Sequence, residues 1–311
     1  MSLAFVFPGQ GSQSPGMLDS FKNNLIVKKT IEEASDGLKV DFHKIIYGDD
    51  PNLMNLTVNT QPIILTISIS LWRVYCERNG PVPSVMAGHS LGEYSALTAS
   101  GVLSFEQALE LVSFRAKSMQ KAVPTGLGGM AAIIGLSGDI VKKLCVDCSR
   151  SDLKAEPANF NSSEQTVISG ANEIIEKVCA RAKECGARRA VRLAVSAPFH
   201  STLMESAARD LKGRLIQEKL CLPKIPVINN VDVEVLRNEN QIKSSLSKQV
   251  MSVVRWNETI QKFHKMGVIC IVECGPGKVL TGLSKRICPN VRTFSLYNDE
   301  MINEVISSLP K

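Results

Sequence analysis

The stretch Ser84-Val85-Met86-Ala87-Gly88-His89-Ser90-Leu91-Gly92 runs from an apolar strand pattern, through a glycine-flanked serine, into the helix-forming segment Leu91–Ala99. A turn this tight between strand and helix leaves no room for Cβ atoms beside the serine. G-x-S-x-G in this setting therefore predicts a corner at the carboxyl edge of a sheet. Such a corner strains the serine backbone, projects the hydroxyl of Ser90 and aims the first helical N–H groups at any oxyanion that forms there. The plainer alternative is an ordinary helix-start turn that happens to contain a serine.

Around this corner, strand-like and helical patterns alternate, which predicts an α/β fold. Leu3–Phe7 reads as a strand ending at Pro8-Gly9-Gln10-Gly11, and Thr60–Asn79 as a buried helix with Pro62 in its first turn. Val82–Gly88 reads as a second strand and Phe105–Val123 as a helix. At Pro124-Thr125-Gly126-Leu127-Gly128-Gly129 the composition becomes that of a hinge. Beyond it come a strand (Met130–Leu136), a helix (Gly138–Ser149), two strands (Ala155–Phe160 and Gln165–Ser169), a helix (Glu173–Cys185) and a strand (Arg188–Val195). That βαββαβ order is the ferredoxin-like unit. Residues 124–196 are thus expected to form a small domain inserted into a large one made of 1–123 and 197–311. The large domain resumes with a helix at Ser201–Leu220, a strand at Ile225–Asn229, a helix at Trp256–Met266, the strand Val268–Glu273 and the helix Val279–Ile287.

Several function classes drop out. With 44% hydrophobic and 21% charged residues over 311 positions, the chain is globular, and a net charge of +6 is too small for a nucleic-acid-binding surface. The apolar run Ile63–Leu71 is interrupted by Thr66, Ser68 and Ser70 and is too short to span a bilayer, so no membrane association is expected. The N-terminus has neither the basic start nor the cleavage site of a signal peptide. Nine scattered cysteines, an odd number, read as reduced thiols in the cytoplasm, although a processed organelle protein would read the same way. Cys145-Val146-Asp147-Cys148 lacks the second pair of a zinc site, so no metal is expected. Gly126-Leu127-Gly128-Gly129 precedes a strand, unlike a dinucleotide fingerprint. Gly275-Pro276-Gly277-Lys278 lacks the spacing of a phosphate loop.

A serine hydroxyl needs a base to become a nucleophile. Of the four histidines, His89 should be turned away from its neighbour Ser90, and His43 and His264 belong to surface or half-buried helical patterns. His200, in Ser196-Ala197-Pro198-Phe199-His200-Ser201, lies where the chain returns to the large domain and is the candidate base. No acidic residue lies between Glu184 and His200 to orient it, which suggests a Ser–His dyad held by something other than a carboxylate. Arg115 sits in a largely apolar helix. It is either one half of a structural ion pair or a guanidinium poised to bind a carboxylate. The glycine-rich loop around Gln10 lets the backbone approach a ligand, or is a plain turn. Lys183, Arg188 and Arg189 are basic candidates near the cleft for acidic partners, or simply solvated surface.

Taken together, FVFPGQGSQ, GHSLGEYSAL, FRAKSMQKAVP, GGMAAIIGL, ANFNS, APFHS, PVINNVD, VRW and GPGKVLTGL resemble the malonyl-CoA:acyl carrier protein transacylases of type II fatty acid synthesis, in order and across essentially the whole chain. The resemblance implies a large α/β-hydrolase-like domain, an inserted small ferredoxin-like domain and an active site between them. It implies that Ser90 is acylated and that His200 is the base. It further implies that Gln10 and Leu91 supply oxyanion-hole N–H groups, that Arg115 pairs with the malonyl carboxylate, and that the backbone carbonyl of Gln249 orients the histidine. The implied partners are malonyl-CoA and acyl carrier protein, with no cofactor, and the enzyme is expected to act as a monomer. A serine hydrolase on the same corner would instead have a carboxylate behind His200 and release free acid. A non-enzymatic carrier-binding module would not need Ser90, His200 and Arg115 together.

Phe199 stands where many bacterial members carry serine. Malonyl-selecting multidomain polyketide acyltransferases tend to carry Phe at this place, and methylmalonyl-selecting ones serine. Phe199 is therefore expected to crowd the acyl α-carbon and disfavour a methyl branch. Competition between malonyl-CoA and methylmalonyl-CoA checks this, and equal specificity constants would remove the idea.

Overall fold

A computed structural model describes residues 2–124, 126–195 and 197–309. Thr125 and Ser196, at the two expected hinges, lie outside the described residues. Among the described residues nine strands form two sheets: β1 (Ser2–Phe7), β2 (Val85–Gly88), β3 (Gly128–Ile134), β4 (Ala155–Ser162), β5 (Gln165–Ala171), β6 (Arg189–Arg192), β7 (Val227–Ile228), β8 (Val268–Glu273) and β9 (Arg292–Ser295). One sheet is five-stranded and parallel, in the order β7-β2-β1-β8-β9. The other is four-stranded and antiparallel, in the order β4-β5-β3-β6. The α/β class read from the sequence is the class observed.

Parallel sheets are covered on both faces, and the alternation along β1 records this. Leu3, Phe5 and Phe7 point into the main core, where Phe5 meets Trp72 and Tyr75 of the helix Thr57–Glu77. Ala4 and Val6 point to the opposite face, against Trp256, Phe263 and Leu280 from the helices Trp256–Lys265 and Val279–Ile287. The antiparallel sheet also has two unlike faces. Ala131 and Ile133 of β3 pack on the sheet's own helices, Gly138–Cys148 and Asn172–Glu184. Met130 and Ala132 of β3 join the main core instead. Backbone bonds also tie β4 to the segment just before the helix Trp256–Lys265: Phe160 N–H donates to Val254 O (2.9 Å), and Val254 N–H donates to Ala158 O (2.8 Å).

Several element boundaries differ from those expected. The long helix begins at Thr57, so Pro62 lies inside it rather than in its first turn. It ends at Glu77, and Asn79 adopts a left-handed conformation (φ 57°). Val82 is 76% exposed between two prolines, and the second strand starts only at Val85. Gly128 and Gly129, expected in the hinge, are paired in β3 with Ala171 and Gly170. The helix expected over Ser201–Leu220 is a short 3-10 turn (Thr202–Met204) followed by Glu205–Ile216. The turn after β8 is explained by Glu273. Its buried carboxylate accepts the N–H groups of Leu280 (3.0 Å) and Thr281 (2.7 Å), filling the helix start where a phosphate loop would hold its ligand. No helix among the described residues is long and apolar enough to cross a membrane.

Candidate active site

The corner around Ser90 is built by exclusion. A Cβ on Gly88 would lie 1.8 Å from the backbone carbon of Gly92, and one on Gly92 would lie 2.0 Å from the carbonyl oxygen of Phe7. With those positions bare, the chain turns from β2 into the helix Gly92–Ala99 within hydrogen-bonding distance of β1: His89 N–H donates to Phe7 O at 2.9 Å. Ser90 takes the left-handed region with φ 53°, a conformation costing about 1–3 kcal/mol that must be held from outside. Asn230 does the holding. Its Oδ1 accepts Ser90 N–H (2.7 Å) and its Nδ2 donates to Gly88 O (2.7 Å).

His200, 110 positions further along, arrives with its Nε2 2.6 Å from Ser90 Oγ. Its backbone is also left-handed (φ 59°) and is pinned by a bond from its N–H to Val250 O at 3.0 Å. Nδ1 faces two backbone carbonyls, Gln249 O at 2.9 Å and Ser252 O at 3.1 Å. Two acceptors there require a proton on Nδ1, which leaves Nε2 as an acceptor for the serine hydroxyl. Burial pushes the His200 imidazole down to about 3, and the nearby Arg115 charge adds to the effect. The ring is thus neutral and able to take a proton. The acid missing from the sequence before His200 is also missing, among the described residues, from the hydrogen-bond partners of its ring.

Arg115 is 1% exposed. Its guanidinium donates to Gln61 Oε1 (2.6 Å), to Gln249 Oε1 (3.0 Å) and to Ser90 Oγ (3.1 Å), lies over the Tyr94 ring, and leaves Nε unpaired. Among the described residues no carboxylate comes within 4.0 Å of it, so the ion-pair alternative does not hold. A buried cation with spare donors and only neutral partners is a receptor for an anion. Gln10, Leu91 and Phe199 line the same cavity of about 90 Å³ as Ser90, His200 and Arg115. Among the described residues, the N–H groups of Gln10 and Leu91 have no hydrogen-bond acceptor.

The structure therefore brings Ser90, His200, Arg115, Gln10, Leu91 and Phe199 to one cleft, with Gln249 directly behind it. His89 is turned away, bonded to Asn161 Oδ1 at 2.8 Å and packed edge-on against Trp256. His43 and His264 are exposed. Lys183, Arg188 and Arg189 are exposed on the outer helix and outer edge of the antiparallel sheet, and none lines the cleft. A larger cavity of about 1080 Å³ opens on residues 15–54 but holds none of the paired reactive groups. Sequence reasoning missed Gln61, Glu93, Asn230 and Ser252. A glutamine just ahead of the apolar run of a buried helix was the one available signal, for Gln61. Among the described residues no group of three or more His, Cys, Asp or Glu side chains is placed to hold a metal.

The acyl transferase domain model matches residues 4–291. The malonyl CoA-acyl carrier protein transacylase of Salmonella typhimurium is 44% identical over 294 residues, covering 94% of this chain and 95% of the relative. That of Bacillus subtilis is 40% identical over 308 residues, covering 99% and 97%. Among solved structures, the acyl-carrier-protein S-malonyltransferase of Burkholderia pseudomallei superimposes with a TM-score of 0.96 at 47% identity, covering 99% of this chain and all of that one. A type II PKS acyl-carrier protein in complex with its malonyl-transacylase contains a chain that matches with a TM-score of 0.97 at 41% identity, over 99% of this chain and 100% of that one.

The His200 ring should carry no second proton at pH 5. Histidine-labelled NMR, assigned with His200→Gln, checks this; a midpoint near the ordinary 6.5 would contradict the described burial. The thermal midpoint is a poorer readout. His200 costs stability as pH falls from about 6.5 toward 3, because the unfolded chain binds the proton that the native ring refuses. Glu93, pushed up to about 7 by burial, costs stability in the opposite sense, as pH rises from 4.5 through 7. Separately, Gly92→Ala should lower the urea midpoint by the equivalent of about 3 kcal/mol or more, because its Cβ would meet backbone that cannot yield. Gly213→Ala, in open space on the helix Glu205–Ile216, should raise it by about 1 kcal/mol.

Proposed function

We propose, from the premise that this chain belongs to the acyl transferase domain family and within it to the malonyl-CoA:acyl carrier protein transacylases, that it moves a malonyl group from malonyl-CoA to the phosphopantetheine thiol of an acyl carrier protein through a malonyl ester on Ser90. The chain is an acyltransferase. One observation carries the finer reading: Ser90 Oγ lies between His200 Nε2 (2.6 Å) and the buried guanidinium of Arg115 (3.1 Å). A base and an anion receptor on either side of one hydroxyl suit an acyl donor whose far end is a carboxylate.

The steps follow from that arrangement. Arg115 takes the malonyl carboxylate with donors that have no carboxylate of their own. Ser90 Oγ attacks the thioester carbon while His200 Nε2 accepts its proton. The oxyanion is held by the N–H groups of Gln10 and Leu91, each such donor contributing about 3 kcal/mol. Collapse expels the CoA thiolate, which takes the proton back from His200. The carrier thiol then enters, gives its proton to the same nitrogen and attacks the ester carbon; the Ser90–acyl bond breaks, Oγ takes that proton back from His200, and the carrier leaves with the malonyl group. One thioester is exchanged for another, so the enzyme needs to lower only the barrier and no cofactor is required. The backbone carbonyls of Gln249 and Ser252 keep the imidazole in the tautomer this requires.

The same reading assigns the acyl end to a cleft between a large α/β-hydrolase-like domain (1–123 and 197–311) and a small ferredoxin-like domain (124–196). Every group named comes from one chain, which suits a monomer. The nine free thiols suit a reducing compartment such as the cytoplasm. The product would supply malonyl units for fatty acid elongation. Intact mass after brief mixing with malonyl-CoA tests the proposal: wild type should gain one malonyl adduct and Ser90→Ala none, and adding holo-carrier should move the adduct onto the carrier. Free malonate with no carrier adduct would mean hydrolysis instead.

A further inference from the structure

Glu93 is the buried titratable group that these steps leave unused. It lies one turn into the helix after Ser90 and is fully buried. Its Oε2 accepts two N–H groups, Gln249 Nε2 (2.9 Å) and Asn230 N (3.0 Å), while Oε1 has no partner. Asn230 braces the corner through Gly88 and Ser90. Gln249 Nε2 also donates to Ser90 O (2.9 Å). The other end of the Gln249 amide, Oε1, accepts from Arg115 at 3.0 Å. An amide has a donor end and an acceptor end, and half a rotation exchanges them. An oxygen already receiving an N–H from Asn230 can offer Gln249 only an acceptor, so Nε2 must face Glu93 and Oε1 is left to face the guanidinium.

We propose that Glu93 is a positioning residue: by accepting from Gln249 Nε2 beside Ser90 O it holds the other end of that amide against Arg115, and so strengthens the preference of the site for acyl groups that carry a carboxylate. The inference rests on the malonyl reading of the cleft. Burial pushes the Glu93 carboxyl up to about 7. A proton taken near neutrality goes to the unpartnered Oε1, so Oε2 remains an acceptor in both charge states. With Glu93 removed, Ser90 O alone would hold the NH2 end. The amide would be held less firmly, and Arg115 would lose the fixed placing of one of its two amide anchors.

The test offers equimolar malonyl-CoA and acetyl-CoA and reads the ratio of the two Ser90 adducts by intact mass. Glu93→Met, similar in volume but without an acceptor, should lower the malonyl-to-acetyl ratio roughly tenfold or more, the worth of one hydrogen bond to a charged group. Glu93→Gln can place its carbonyl oxygen where Oε2 sits and should keep the ratio within about threefold of wild type. Gln249→Met removes that amide anchor itself, leaves Glu93 and the carbonyl behind His200 in place, and should reproduce the fall; if Glu93→Met does not fold, an unchanged ratio here still overturns the proposal. A wild-type ratio in Gln249→Met or in folded Glu93→Met overturns the proposal. So does a loss in Glu93→Gln as large as in Glu93→Met, which would make charge, not amide orientation, the cause. A wild-type enzyme that takes no malonyl adduct would refute the parent reading itself, a result distinct from an adduct with unchanged selectivity.

Discussion

A guanidinium buried without a carboxylate beside it sets the terms for everything around it. Arg115 keeps its charge among two amide oxygens, a hydroxyl and the face of Tyr94. Burying an unpaired cation is costly, and the surroundings reduce that cost without cancelling the charge. Glu93 supplies the nearest negative group through the Gln249 amide, too far for a direct pair. The same positive charge helps keep the His200 imidazole unprotonated. A carboxylate directly behind His200 would draw a proton onto that ring and compete for Arg115, and two backbone carbonyls do neither. The polar residues of the cleft are thus coupled: one cation, one distant acid and neutral dipoles between them.

Both reactive side chains hang from backbone in the left-handed region, and neither residue is glycine. Such conformations persist only where neighbours over-determine them. Asn230 brackets Ser90 from both sides of the corner, and the segment Gln249–Ser252 holds His200 through its N–H and through Nδ1. That one segment supports the histidine by its backbone and the arginine by its side chain, so the geometry of His200 and Arg115 cannot drift independently.

The chemistry legible in the sequence was the part written locally. G-x-S-x-G states its own steric reason, and Ser90 followed from it. His200 emerged because the other histidines sit in patterns that point elsewhere. Arg115 stood out as a charge within an apolar stripe. Glu93, Asn230 and Ser252 carry no such mark: they act through tertiary contacts across 52 to 156 positions, and in sequence they are ordinary polar residues in a helix and in loops. The fold was readable where the period was clear, as in β1 and the strand–helix order of 128–192. It was misread at Pro62, because proline marks a helix start more often than a sixth position. The helices between Leu25 and Asn55 were not read at all, nor were Glu239–Gln249, β9 and Asp299–Ser308, since each buries only a few side chains.

The antiparallel sheet gives one face to its own helices and lends the other to the main core, and its β4 exchanges backbone hydrogen bonds with Val254. For anyone recombining acyltransferases, it is therefore not a cassette. A chimera joined at the two chain crossings would inherit Met130 and Ala132 from one parent and the surface they fill from the other. It would also set a foreign strand against Val254 and a foreign partner against His89. Grafts that carry 158–161 together with 249–256 would keep the β4–Val254 seam matched, while His89 and the main-core partners of Met130 and Ala132 would have to travel with their own side.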